Sequence, residues 1–409
     1  MYAHLLLASL IVGTLALGVK AQQPKLGSLP PLVLPDGVTP DQLADPKEAK
    51  RVAEMFEKQY PRHRPEAVKM LIDILRGSQL NGTDGWFGPA ESRYTLTWLL
   101  ERNDIDPKEK ALPKDKFNGN VALFDRLDRN GDGKITADDF DWSEKSTYVQ
   151  QASVLNRLFR RIDTSGDGKL TKEELDVFFK MVAKDKDHFT ADDLRQAMIP
   201  RGPGGFGPGD GPSIPVLVRG LLSGEVGSMY EGPKLGETAP NFTLKTPDGK
   251  ETISLKKLIG PKPVVLILGN FTCGPFRGLY PDLEAIFKRY KDEATFLMVY
   301  VREAHPSDGW IMESNTRVGV KVSQPKTLEE RVKVCDQFCQ KLKPTMPVVV
   351  DEIEDTAGNL YSGMPGRYYV IDSHGKVAYK SGRGPFGFKT GELEQAVVMS
   401  LIECGAGQK

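Results

Sequence analysis

Val264-Val265-Leu266-Ile267-Leu268-Gly269-Asn270-Phe271-Thr272-Cys273-Gly274-Pro275-Phe276 sets the fold class of the C-terminal part of the chain. Five apolar residues without polar alternation read as a strand buried on both faces, and the stretch from Gly269 leads into a helix. Cys273 therefore sits near a helix N-terminus, where the backbone dipole and free N–H groups favour a thiolate. The competing reading of this residue is a buried structural thiol. Further strands are predicted at Phe296–Val301, Val348–Val350 and Tyr368–Ile371, with amphipathic helices at Pro281–Lys291 and Leu328–Leu342. Apolar strands separated by helices imply an α/β sheet covered on both faces, spanning 233–409.

Upstream, the organisation changes several times. Leu5–Val19 is an apolar run followed by Val19-Lys20-Ala21, small residues at the positions a signal peptidase reads. The expectation is a signal peptide over 1–21 and a secreted or periplasmic protein; a membrane is involved only if this segment stays uncleaved. Proline recurs through 22–45, which reads as an extended spacer. Val52, Met55 and Phe56, then Val68, Leu71, Ile72 and Leu75, repeat at helical spacing within 46–105. Residues 201–232 open with Arg201-Gly-Pro-Gly-Gly-Phe-Gly-Pro-Gly-Asp-Gly-Pro212 and read as a linker.

Between these, 106–200 contains two matching loops. The first runs Asp128-Arg-Asn130-Gly-Asp132-Gly133-Lys134-Ile135-Thr136-Ala-Asp-Asp139, the second Asp163-Thr-Ser165-Gly-Asp167-Gly168-Lys169-Leu170-Thr171-Lys-Glu-Glu174. This is the EF-hand pattern, and the implied cofactor is Ca2+, a hard cation wanting about six to eight oxygens. Asp128, Asn130, Asp132, the Lys134 carbonyl and Asp139 supply them in the first loop. Asp163, Ser165, Asp167, the Lys169 carbonyl and Glu174 supply them in the second. Asp139 stands where a longer bidentate glutamate is usual, so the first site is expected to be the weaker. Ile135 and Leu170, apolar at equivalent places, are expected to pair the two loops through a short ribbon. Leu80–Glu91 resembles a degenerate third loop, and Thr190 is expected to cap a helix.

Beyond Cys273-Gly274-Pro275-Phe276, which resembles the thioredoxin Cys-Gly-Pro-Cys motif with its second cysteine replaced, a more specific likeness emerges. Gly236–Leu244 also resembles the opening of peroxiredoxin and thiol-reductase domains, but Leu266 and Asn270 stand where a peroxiredoxin has proline and threonine. Asn270–Phe276, Tyr300-Val-Arg-Glu303-Ala304-His305-Pro-Ser307-Asp308-Gly309-Trp310, Pro347–Asp351, Leu360-Tyr361, Pro365–Ile371 and Gly384–Phe386 together resemble the iodothyronine deiodinases. The resemblance covers Pro263–Val397. It implies a thioredoxin-like fold, with Cys273 at the selenocysteine position and Thr272 as the hydroxyl beside it. Glu303 and His305 would serve in proton delivery, and Pro365 is the proline, expected to be cis, that faces the active-site residue.

The fold class that follows is multidomain: an all-α EF-hand region, then an α/β thioredoxin-like domain. The expected activity is thiol-dependent reduction through Cys273, with His305 as general acid and Glu303 orienting it, on a small-molecule or thiol substrate with an external thiol reductant. Thiol–disulfide or peroxide reduction is the alternative chemistry, and a non-enzymatic calcium-dependent interaction protein the alternative class. Lysine plus arginine equal aspartate plus glutamate at 55 each, and no basic stripe with interleaved aromatics occurs, which argues against nucleic acid. The four cysteines, Cys273, Cys335, Cys339 and Cys404, are too few for a disulfide scaffold.

Overall fold

The computed structural model describes residues 32–77, 88–143, 145–165, 168–198, 212–384, 387 and 389–405. The predicted signal segment, the Gly/Pro run 201–211, most of the degenerate loop, Asp167 and Pro385-Phe386 lie outside them. Asp45 caps α1 (Pro46–Gln59), its carboxylate accepting the Lys47 N–H at 3.0 Å. Then come α2 (Glu66–Leu75), β1 (Glu91–Ser92), α3 (Leu96–Arg102), β2 (Ala111–Pro113), α4 (Val121–Leu127), β3 (Lys134–Thr136) and α5 (Ala137–Phe140). Four more helices follow: α6 (Thr147–Ile162), α7 (Lys172–Ala183), α8 (Ala191–Met198) and α9 (Ile214–Leu222). Strands and helices then alternate through β4 (Thr243–Lys245), β5 (Thr252–Ser254), α10 (Leu255–Leu258), β6 (Val264–Gly269), α11 (Gly274–Tyr290) and β7 (Thr295–Tyr300). The chain closes with α12 (Glu313–Arg317), α13 (Leu328–Leu342), β8 (Val348–Val350), α14 (Thr356–Leu360), β9 (Arg367–Ile371), β10 (Val377–Lys380) and α15 (Thr390–Glu403).

The main sheet is 8-stranded, in the order β1-β10-β9-β6-β7-β8-β4-β5. β7 runs parallel to both neighbours, and every other pairing is antiparallel. Alternate residues of the central strands go to opposite faces, as the pleat requires. Val265 and Ile267 join Phe296, Met298, Tyr368 and Val370 under α11, α13 and α15. Val264, Leu266 and Leu268 join Leu297, Val299, Tyr369 and Ile371 on the other face, with Phe242, Leu360 and Tyr361. An α/β sheet covered on both sides is thus what the apolar strands build, and the thioredoxin-like expectation for this region holds.

Three expectations are corrected. The segment 213–222 is not linker: α9 buries Leu217, Val218 and Leu221 against Val52, Phe56 and Leu71 of α1 and α2. The later part of the spacer joins the same core, with Leu43 buried and Leu32, Leu34 and Val38 packed around it. Apolar residues spaced to make one helical stripe outweigh the glycine and proline that surround them. Second, β3 does not pair with the other calcium loop. It pairs antiparallel with β2, Ile135 opposite Leu112, and Leu170 stays partly exposed. Third, the 46–105 region is not wholly helical: it supplies β1, which adds to the edge of β10.

The first EF-hand is part of the main core. Phe124, Leu127, Ile135 and Leu112 lie in the same apolar cluster as Val397 and Leu401 of α15. Trp142 Nε1 donates to Gln395 Oε1 at 2.8 Å, and Gln395 Nε2 donates to the Asp139 carbonyl at 2.8 Å. The second hand has only a small cluster of its own, Ile162, Phe178 and Val182 with Leu158, Phe189 and Leu194 around them. Thr190 caps α8 as expected, accepting the Asp193 N–H at 3.2 Å.

Candidate active site and calcium loops

β6 delivers the chain to Gly269, where a Cβ would lie 2.2 Å from the Phe276 ring, so only glycine lets α11 fold back this closely. Asn270, fully buried, then organises the turn. Its Oδ1 accepts the Cys273 N–H at 3.0 Å and the Thr272 hydroxyl at 3.3 Å, while Nδ2 donates to the Pro365 carbonyl at 2.8 Å. Met364–Pro365 is a cis peptide, as expected for the proline facing Cys273. Cys273 is the N-cap of α11, and its carbonyl accepts the Arg277 N–H at 3.1 Å.

The electrostatics differ from the expectation of a dipole-stabilised thiolate. Cys273 is fully buried, and burial pushes its thiol up to about 11. The Phe276 N–H and the Arg277 guanidinium favour the thiolate but do not offset that desolvation, and the Glu303 carboxylate adds to it. Burial also raises Glu303, against hydrogen bonds from Tyr300 and Thr272. A helix N-terminus is a weak influence beside complete exclusion of water from a sulfur.

Thr272, Cys273, Glu303 and His305 come together. Glu303 Oε2 accepts the Thr272 N–H at 2.8 Å, and its other oxygen accepts the Tyr300 hydroxyl. The backbone N–H of His305 donates to Thr272 Oγ1 at 2.9 Å. Glu303 is thus connected to His305 through Thr272 and supports the Cys273 segment itself, which adjusts the idea that it orients the imidazole. The ring nitrogen Nδ1 of His305 is 3.3 Å from the Trp310 carbonyl, and the two rings meet edge-on at 4.6 Å. Arg277 and Asn315 were not singled out from sequence, and Asn270 and Tyr300 were named there only as parts of motifs, with no role in the site. Arg277 donates to the Phe271 carbonyl and, at 2.8 Å, to Asn315 Oδ1, while Asn315 Nδ2 donates to the Thr272 carbonyl at 2.7 Å. The polar side chain of Asn270 inside the otherwise apolar approach to Cys273 was the one available signal. Buried Cys335 and half-buried Cys339 are free thiols one turn apart on α13; a hydrogen bond with Cys339, then burial, raises the Cys335 thiol.

Both calcium loops wrap their first carboxylate in backbone amides. Asp128 accepts Gly131 N–H at 2.8 Å and Gly133 N–H at 2.9 Å; Asp163 accepts Gly168 N–H at 2.9 Å. Gly133 and Gly168 make the turn at φ +82° and +75°. Asp139 and Glu174 each tie the loop's two ends, Asp139 through Arg129 N–H and Thr136 N–H, Glu174 through Ser165 N–H and Thr171 N–H. The donor set is all oxygen, which fits a hard cation, and Asp128 Oδ1, Asp139 Oδ2 and Glu174 Oε2 each accept two hydrogen bonds from their own loop. Among the described residues no three acidic, histidine or cysteine side chains yet converge on one point. Lys134 and Lys169 lie at the carbonyl-donating places, and Asn130 Oδ1 accepts the Asp132 N–H at 3.0 Å.

The second loop also touches the active-site helix. A Cβ on Gly168 would fall 2.6 Å from the Pro281 ring and 2.9 Å from the Gly278 carbonyl. Both residues belong to the first turns of α11 after Cys273. Among the described residues no helix is long and apolar enough to cross a membrane.

Comparison with known proteins agrees with this geometry. The EF-hand family profile matches 121–141 and 155–179, and the iodothyronine deiodinase profile matches 217–399. Thyroxine 5-deiodinase of Rattus norvegicus is 33% identical over 177 residues, covering 43% of this chain and 57% of that protein. The Homo sapiens protein of the same name is 32% identical over the same extent. Type II iodothyronine deiodinase of Rattus norvegicus is 30% identical over 181 residues, 40% of this chain and 68% of that protein. The chain spans 57% of the length of the first of these relatives. Among solved structures, a putative thiol:disulfide interchange protein DsbE from Chlorobium tepidum aligns at 21% identity and a TM-score of 0.30, covering 41% of this chain and 98% of that one. On profile, identity and the residues gathered around Cys273, the chain belongs to the iodothyronine deiodinase family.

Proposed function

We propose that the protein is an exported, calcium-binding thiol oxidoreductase that removes halogen reductively from a small aromatic substrate, with Cys273 as nucleophile. The observation that carries this reading is the placement of Cys273 at the start of α11, joined through Asn270 to cis-Pro365 and through Thr272 to His305. The Cys273 thiolate attacks the halogen; a sulfur–halogen bond forms as the carbon–halogen bond breaks, and the carbon takes a proton from His305. One external thiol then displaces halide to give a mixed disulfide, and a second releases Cys273 and a small disulfide. Per turnover, carbon–halogen becomes carbon–hydrogen and two thiols become one disulfide and hydrogen halide. Thr272, Glu303 and Asn270 hold the nucleophile and the acid in register.

Calcium bound by Asp128, Asn130, Asp132, Lys134 and Asp139, and by Asp163, Ser165, Asp167, Lys169 and Glu174, would supply positive charge that fixes the loops. The burial of Cys273 favours a second reading, a calcium-dependent interaction protein that keeps the fold without turnover. Incubation of the purified protein and dithiol with an iodinated phenol, hydrogen peroxide and a mixed disulfide ranks these readings. Iodide release that disappears in Cys273→Ser is the expected result. Peroxide or disulfide turnover instead would transfer the same cysteine to the alternative chemistry. Equal behaviour of Cys273→Ser and wild type on all three would leave the interaction protein.

A further inference from the structure

On the face of the sheet opposite Cys273, the ends of β9 and β10 meet α2 around a cleft of about 410 Å³. Arg367 alternates with Tyr368, which belongs to the Cys273 cluster, and so shares its face with Tyr369 and Ile371. Lys380 pairs with Tyr369 and points the same way. Both cations line the cleft and both are buried, Lys380 with 2% of its surface exposed and Arg367 with 7%.

Their acceptors are poor for buried charges. Arg367 donates to the Ser381 carbonyl at 3.0 Å and the Glu231 carbonyl at 3.3 Å. Lys380 donates to the Glu231 carbonyl at 2.9 Å, and its nearest carboxylate, Glu91, is 3.9 Å away. Neutral carbonyls do not balance two desolvated cations. Burial, then the neighbouring Arg367, push the Lys380 ammonium down to about 8. Arg64 and Lys69 add two more cations to the lining. Four acids share the lining: Glu66, Asp73, Glu91 and Glu231. Lys69 lies 3.3 Å from Glu66 and 3.7 Å from Glu231. Glu66 is held by Arg383 at 2.8 Å, and burial, then Glu66, push Asp73 up to about 6, so that near neutrality a fraction carries a proton to donate.

We propose that this cleft binds a phosphate dianion, free or as a small phosphomonoester, between Arg367, Lys380, Arg64 and Lys69. The fork of Arg367 suits two phosphate oxygens, and Lys380 supplies a point charge to the third. Among the described residues Arg367 has no carboxylate within ion-pair distance and Lys380 only Glu91 at 3.9 Å, so these two buried cations favour an anion that brings two charges over a singly charged carboxylate. The volume leaves room for an organic portion beyond the phosphate.

Calorimetric titration of the full chain with inorganic phosphate, glycerol 3-phosphate and acetate tests the site. Phosphate is expected to bind and acetate not. Lys380→Met should weaken phosphate by about tenfold or more, and Lys69→Met, at the exposed rim, by about threefold. The Lys69 variant decides the matter if loss of Lys380 disturbs folding. Tighter binding of glycerol 3-phosphate than of inorganic phosphate would assign an esterified ligand, and the reverse order a free one. No phosphate binding, equal binding of acetate, or phosphate binding unchanged in both variants would overturn the proposal.

Discussion

The two EF-hands have nearly the same sequence pattern and opposite situations in the fold. The first, with the shorter Asp139, is built into the main core through Phe124, Leu127 and Ile135 and is fastened to α15 by Trp142 and Gln395. The second, with the full-length Glu174, leaves Leu155 64% exposed and Val177 56% exposed, and meets α11 at Gly168. The ligand set expected to bind more weakly has the rigid support, and the set expected to bind more tightly the loose one. Ligand identity and scaffold order are separate contributions to ion binding, and this chain sets them against each other.

The largest expected contrast is in stability. Phe124→Ala empties a fully buried site shared with the sheet and should cost about 3–5 kcal/mol, read as a shift in the denaturant midpoint of the whole molecule. Phe178→Ala, in the small cluster of the second hand, should cost no more than about 2 kcal/mol and loosen that hand alone, seen as faster amide exchange confined to α6–α8. Similar global losses from both would erase the distinction between the hands.

Next in size is the contact with α11. Gly168→Ala combines a left-handed φ with a clash against Pro281, whereas Gly133→Ala has the same φ problem and open space around it. Only the Gly168 substitution should speed alkylation of Cys273 by iodoacetamide, by several-fold, because it lifts the loop off the helix. Equal rates in the two variants would show that the second loop does not cover the site. Calcium titration gives a third comparison. One tighter and one weaker event are expected, and Glu174→Gln should remove the tighter. Retention of the tight event in that variant would mean that scaffold order outweighs ligand length.

Two pH effects complete the comparison. In wild type the alkylation rate at Cys273 should climb about tenfold per unit toward about 11 with no plateau near neutrality, since only the thiolate reacts. At the first hand, burial pushes Glu392 up to about 7, against Lys389 and Arg129. An acid whose folded-state pKa is raised lends stability below its ordinary value near 4.5, and that stability is lost as pH rises through 7. Glu392→Gln should flatten this slope; an unchanged slope would assign it to another group.

Much of this arrangement is legible in local pattern. β6 and α13 fall where five consecutive apolar residues and the 328–342 stripe place them, and Cys273 lands at the strand-to-helix turn. The missed elements were hidden by brevity or by neighbours. β2 is three residues long and ends in Pro113, so no periodicity can mark it. α9 follows a Gly/Pro run whose composition masked its apolar stripe. In the site, Asn270, Arg277 and Asn315 act through partners up to 95 residues away, such as the Pro365 carbonyl. Residue type alone does not announce a hydrogen bond made only after folding. The depth of Cys273 escaped for a related reason: desolvation depends on what packs over a residue.

The strand Glu91–Ser92 is only two residues long, yet it closes one flank of the eight-stranded sheet by pairing with β10. An unpaired strand flank is a template for other chains. Cutting away the residues before the family-matched region would strip this cover, and α3 and the first hand with it, from β10 and α15. The excised C-terminal half should then precipitate or self-associate during expression. For this protein the first hand is a packed wall of the enzyme-like half, and parting the two should cost solubility before it costs any chemistry.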